Sequence, residues 1–172
     1  MKPSLTDTLC TRCGLCCDGS LFADVELAPR DDSAALEGLG LVIEDDDDRR
    51  GGEVILQPCG ALQGRRCGIY VQRPGCCRTF ECRLLRDVRR GTMTLDVAGG
   101  HITAALKEIT AIGRRVDRLG FIPVSLPWKE RAQEVLTLTE ESTDPAVMRA
   151  REELEEAMTS LDVRLHRTFL GR

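Results

Sequence analysis

The spacing of apolar positions divides the chain near residue 92. In the second part Ile102, Leu106, Ile109, Ile112, Val116 and Leu119, with Ala105, recur at steps of three or four, and Gly120 followed by Pro123 supplies a stop. That period predicts a long amphipathic helix. Pro127 is placed to sit in the first turn of a shorter helix through Leu138. Asp144 as N-cap and Pro145 at the first helical position announce a third helix. Its stripe is Val147, Leu154, Leu161 and Leu165, with Ala150 and Ala157 between, and it is expected to end near Phe169. In the first part the period shortens: Ala23, Val25 and Leu27 alternate late in the run Leu21 to Leu27, which predicts a strand. Leu41-Val42-Ile43 and Val54-Ile55-Leu56 are β-prone runs separated by the polar stretch Glu44 to Glu53, the pattern of a hairpin with a long polar tip. Such a hairpin brings Cys59 back toward the start of the chain. The expected fold is therefore α+β, a small cysteine-rich domain with a β-hairpin over residues 1–92 and a helical region of about three helices over 93–172, packed on it or on a second copy.

Composition narrows this picture. Aromatic residues make up 3% of the 172 residues, so the core must be mainly aliphatic. A net charge of −4 argues against the whole chain tracking nucleic acid, which is bound by neutralising phosphates. The segment Met1 to Leu9 is short and polar, and no run of apolar residues is long enough for a bilayer, so a cytoplasmic location without membrane insertion is expected. Nine cysteines in a reducing compartment read as ligands or reactive thiols rather than as a disulfide framework.

The cysteines form two groups. The first is Cys10-x-x-Cys13-Gly14-x-Cys16-Cys17; the second comprises Cys59, Cys67, Cys76, Cys77 and Cys82, and none follows. A two-residue gap lets two sulfurs turn inward around one centre, as in zinc and iron–sulfur loops. Cys16 and Cys17 are adjacent, and in an extended segment neighbours face opposite ways, so either one is a bystander or the pair feeds two centres. Eight cysteines suit two four-ligand sites, or one site with auxiliary thiols. From Arg65 to Arg90 there are eight arginines (Arg65, Arg66, Arg73, Arg78, Arg83, Arg86, Arg89, Arg90) against Glu81 and Asp87. These guanidinium groups are expected to lower thiol pKa values and offset an anionic site, in preference to forming a solvated basic face.

With Pro58, Leu62, Ile69, Tyr70, Arg73, Pro74, Arg78 and Phe80 interleaved among these cysteines, residues 9 to 83 resemble the YkgJ-type cysteine-cluster family, a CxxCxxCC domain described as zinc- or iron-chelating. The resemblance implies a compact metal-binding domain with Cys10, Cys13, Cys16, Cys17, Cys59, Cys67, Cys77 and Cys82 as ligands, and an iron–sulfur cluster as first choice over zinc. Cys76 departs from the pattern and is taken as the spare thiol beside Cys77. Arg73 and Arg78 are the candidate cofactor-binding cations. The functional expectation is a redox, cluster-dependent or metal-handling role. The alternatives are a zinc-stapled module that binds a protein partner, and a subunit of a group-transfer enzyme, since a flagellin lysine methylase carries a similar cysteine domain.

Other chemistry is thinner. His101 and His166 fall on the helical segments without a companion motif and are read as surface or cap residues. Asp45 to Asp48 lack an EF-hand's interspersed ligands and read as a solvated tip. Gly38-Leu39-Gly40 and Gly99-Gly100 make no nucleotide fingerprint, and no S-adenosylmethionine motif is present. The last helix's near-heptad stripe reads as core before coiled-coil seam, with a homodimer as the lesser reading.

Overall fold

The computed structural model describes residues 5–120, 123 and 126–171. The chain divides into two compact units, Met1–Leu95 and Asp96–Arg172. The fold is α+β, with the strands in the first unit and the long helices in the second.

The first unit is built on a three-stranded antiparallel sheet. Strands β1 (Asp24–Glu26) and β2 (Ile43–Asp45) flank β3 (Glu53–Leu56), the Val54-Ile55 pair being the most β-prone of the three. Val25 and Ile43 both stand opposite Ile55. Ile55 is 1% exposed and joins Leu27, Leu36, Leu41, Ala61 and Ile69 in an aliphatic core. Burying a side chain of that size contributes roughly 1.5–3 kcal/mol. The expected hairpin is therefore β2–β3, although β2 begins at Ile43. Leu41 turns into the core after Gly40 (φ +89°), while the Leu56 N–H still donates to the Val42 carbonyl at 2.9 Å. Helix α1 (Leu5–Cys13) precedes the sheet and α2 (Ser33–Glu37) crosses between β1 and β2. Beyond β3 come a two-residue hairpin, β4 (Leu62–Gln63) with β5 (Arg66–Cys67), and two short helices, α3 (Gly75–Thr79) and α4 (Arg83–Arg89).

The second unit follows the apolar stripes closely. Helix α5 (Leu95–Leu119) buries Ala98, Ile102, Ala105, Ile109, Ile112 and Val116. Helix α6 (Trp128–Leu138) has Pro127 at its N-cap and buries Ala132 and Val135. Helix α7 (Pro145–Leu165) is capped by the Asp144 carboxylate, which accepts from the Ala146 N–H at 2.8 Å, and buries Leu154, Leu161 and Leu165. It continues as a wider π turn (His166–Leu170) that seats Phe169, 1% exposed, before Gly171 (φ +78°) ends it. Among the described residues no helix is long and apolar enough to cross a membrane.

Candidate metal centre

Helix α1 carries Cys10 and Cys13 one turn apart, so both lie on one face. The helix stops at Gly14, whose φ of +70° suits glycine and where a Cβ would stand 3.1 Å from the Arg65 Cδ. The N–H groups of Cys17 and Asp18 then both donate to the Gly14 carbonyl, at 2.9 and 3.0 Å. Cys16 and Cys17 thus sit on a tight turn rather than in the extended segment that the sequence suggests, because glycine's left-handed backbone lets the chain fold over.

Two carboxylates, overlooked by a reading centred on cysteines, hold the sulfur-bearing segments together. Asp18 Oδ1 accepts the Ser20 N–H at 2.9 Å, and its Oδ2 takes Arg65 Nη1 at 2.6 Å, tying the CxxCxxCC turn to the β4–β5 hairpin. Asp31 accepts the Gly75 N–H on both oxygens, at 2.9 and 3.0 Å, and the Ala28 N–H at 3.1 Å, so it anchors the start of α3. An aspartate followed at a distance by a glycine or arginine is too common in loops to signal this from sequence.

The second cysteine group is brought in by backbone pairing. The Cys59 N–H donates to the Cys17 carbonyl at 2.8 Å, and the Cys59 carbonyl accepts from Leu62 at 2.9 Å. Cys67 stands opposite Leu62 across the β4–β5 ladder. Cys59, Cys67 and Cys76 all pack against the same aliphatic core. The Cys76 and Cys77 sulfurs lie 3.9 Å apart on α3, and Cys82 is the N-cap residue of α4. Helix α1 packs against both α4 and β5. All nine cysteines are thiols; Cys10 is exposed and the other eight are half-buried.

Burial dominates the electrostatics. It pushes the Cys13 thiol up to about 12, opposed by the Leu15 N–H and reinforced by Cys82, Cys10 and Asp18. It pushes Cys17 up to about 12 as well, with Cys59 and Cys67 as the next causes. Cys16 is held well above its ordinary value by burial and then by Cys13, Cys17, Cys82 and Cys10. Cys59 is raised by burial, then by Cys67 and Cys76, against the Ala61 N–H. The hydrogen bond between the two sulfurs raises Cys77 and lowers Cys76; burial, Cys17 and Cys59 add to the rise at Cys77. Cys82 is raised by burial, against the Leu85 and Leu84 N–H groups and Arg86.

The expectation that the basic window depresses the thiol pKa values is thus corrected for these six raised cysteines. Several guanidinium groups are engaged elsewhere. Arg65 pairs with Asp18, Arg83 with Asp87, and Arg89 with Glu81, while Arg73 donates to the Tyr70 carbonyl at 2.9 Å and stacks 3.6 Å over its ring. Arg78 is exposed on the last turn of α3. Arg86, one of the eight arginines of that window, does lower Cys82, though not enough to offset its burial. His166 Nδ1 lies 3.0 Å from the Asp162 carbonyl at the end of α7, and His101 is half-buried on α5. At the polar tip Asp46 accepts from the Asp48 N–H and pairs with Arg49.

Among the described residues no three Cys, His, Asp or Glu side chains stand in a ready-made coordination shell. The donor set is nonetheless all sulfur, gathered by hydrogen bonds and packing into one small unit, and thiolates suit zinc and iron–sulfur clusters. No curated protein and no solved structure matches the chain. The CxxCxxCC family, described as "Putative zinc- or iron-chelating domain", matches residues 9–96, which is 88 of the 172 residues. The cysteine-bearing unit is thus a metal-binding domain, and the chain belongs to the CxxCxxCC family.

Proposed function

We propose that the N-terminal unit holds an iron–sulfur cluster, with zinc as the competing occupant, through Cys10, Cys13, Cys16, Cys17, Cys59, Cys67, Cys77 and Cys82, and that it serves a redox, cluster-dependent or metal-handling role in the cytoplasm. The observation that carries this is the gathering of cysteines from α1, its following turn, the β3–β4 link, β5, α3 and the start of α4 into one unit. A reducing compartment keeps those thiols available. The unit also has an aliphatic core of its own around Ile55, so a metal is not needed to replace a missing core, which weighs against a purely structural zinc staple.

When bound, an iron–sulfur cluster supplies one-electron transfer. The chain's residues supply the sulfurs, and Asp18 and Asp31 fix the segments bearing them. Arg86 provides positive charge beside Cys82.

Anaerobic purification with metal analysis, acid-labile sulfide assay and visible absorption tests the assignment. Brown protein containing iron and sulfide is the expected result. Colourless protein with stoichiometric zinc overturns the cluster and leaves the same thiols holding zinc. Cys13→Ser and Cys67→Ser are each expected to lose metal, whereas Cys76→Ser retains it.

A further inference from the structure

Helix α4 buries Leu84 and Leu85, and Arg83, Arg86 and Arg90, spaced i, i+3 and i+7, form its exposed face. The ion pairs on this helix are Arg83 with Asp87 and Arg89 with Glu81, which among the described residues leaves Arg86 and Arg90 without a carboxylate.

The same unit carries the opposite charge in a cleft of about 460 Å³ between α2 and the β2–β3 hairpin. Glu37 enters it from α2, Glu44 and Asp45 from β2, Asp47 from the hairpin tip and Glu53 from β3, around the side chain of Ile43. The Ser33 hydroxyl donates to Glu53. Arg49, on the tip, is taken by Glu26 and Asp46, neither of which lines the cleft. Among the described residues none of the five carboxylates is in an ion pair, and no three of them stand close enough to hold a metal ion. The cleft therefore suits a cation that spreads its charge over a planar fork, as a guanidinium group does, better than a point ion.

We infer that the arginine face of α4 docks in the acidic cleft of a second copy of this chain. Each patch supplies the charge that the other lacks. Guanidinium forks bond carboxylates two atoms at a time, and the methylene stem of an arginine can lie on Ile43. The two patches are different surfaces, so the contact closes when two copies exchange it about a twofold axis and otherwise runs from copy to copy. Exposed ion pairs are individually weak, so the association is reversible and salt-sensitive. It does not depend on which metal the sulfurs hold.

Sedimentation velocity of the reduced full-length chain, under anaerobic conditions that prevent disulfide cross-links, tests this over a range of concentrations. Between about 0.01 M and 1 M salt the screening length falls from roughly 30 Å to 3 Å, so self-association is expected at the low end and monomer at the high end. Arg86→Glu with Arg90→Glu, and separately Asp45→Lys with Asp47→Lys, place like charges across the contact, and each double variant should associate about tenfold more weakly or worse. Mixing the two double variants restores opposite charges across the contact, so a 1:1 complex should reappear. Where circular dichroism shows that a double variant has lost its fold, Arg90→Glu or Asp47→Lys alone takes its place. A parent that is monomeric at every concentration and salt overturns the docking, as does self-association that neither charge reversal weakens. Variants that stay apart on mixing overturn the pairing of these two patches. A monomeric parent whose arginines instead bind a single-stranded RNA oligonucleotide assigns the face to phosphates and overturns the docking too.

Discussion

Asp31 shows how much a single carboxylate does in this unit. It accepts the N–H groups of Gly75 and Ala28, joining the stretch after β1 to the start of α3. Asp31→Ala removes the acceptor for both and is expected to cost about 1–3 kcal/mol, read as a lower urea midpoint of the apo protein. Its charge also raises Cys76 against the stronger lowering by Cys77, so the same variant should make Cys76 more acidic and faster to alkylate at neutral pH. The buried thiols set a second expectation. Cys13 and Cys17 are pushed from 9.0 to about 12, so in the folded apo protein both stay protonated where the unfolded chain would ionise. That contribution to apo stability is present below pH 9 and is lost as pH climbs toward 12. Metal must displace those protons, so loading should release protons into weakly buffered solution and affinity should rise with pH, both measurable with an indicator dye and a competing chelator.

At the scale of elements, close backbone approaches matter as much as side chains. A Cβ on Gly60 would collide with the Gly40 carbonyl oxygen, so the chain can leave Cys59 along this path only with glycine there. Gly60→Ala is expected to destabilise the first unit by about 1–3 kcal/mol, the usual range for overpacking, and to weaken metal retention because Cys59 is displaced. In the second unit Asp144→Ala should cost about 1 kcal/mol by removing the α7 cap, seen as a lower melting temperature with metal content unchanged. That cap, the α7 stripe and the β2–β3 hairpin were all legible in the sequence: the cap from Asp144 followed by Pro145, the stripe from its period, and the hairpin from two β-prone runs around a polar tip. Helices α1, α3 and α4 were not: each is nine residues or fewer, and in α1 and α3 cysteines displace the apolar positions that would mark a face. The β4–β5 ladder has two residues per strand, too few for any alternation to show. Helix α5 begins at Leu95, before its stripe, and Gly99 and Gly100, poor helix formers inside its first turns, masked that start in the sequence. The candidate thiols themselves were legible from spacing. What tied their segments together, Asp18 and Asp31, depended on contacts between distant residues.

For the whole molecule, the division at Leu95 separates a unit rich in short elements and sulfur from one made of long amphipathic helices. Hydrogen exchange compared between apo and metal-loaded protein should show the largest gain in protection over residues 10–17, 59–67 and 75–83, where the sulfurs are carried, because loading cross-links segments that hydrogen bonds and packing otherwise hold. Equal protection in those segments with and without metal would contradict their role as ligand carriers. The position of Cys82 at the start of α4 has a consequence for biosynthesis. Cys82 is the last of the nine cysteines along the chain, so a nascent chain cannot gather the full set of sulfurs until the start of α4 has left the ribosomal tunnel. Insertion would then be a late event, following closure of the sheet, and a ribosome stalled before Cys82 would display a set still lacking its last member.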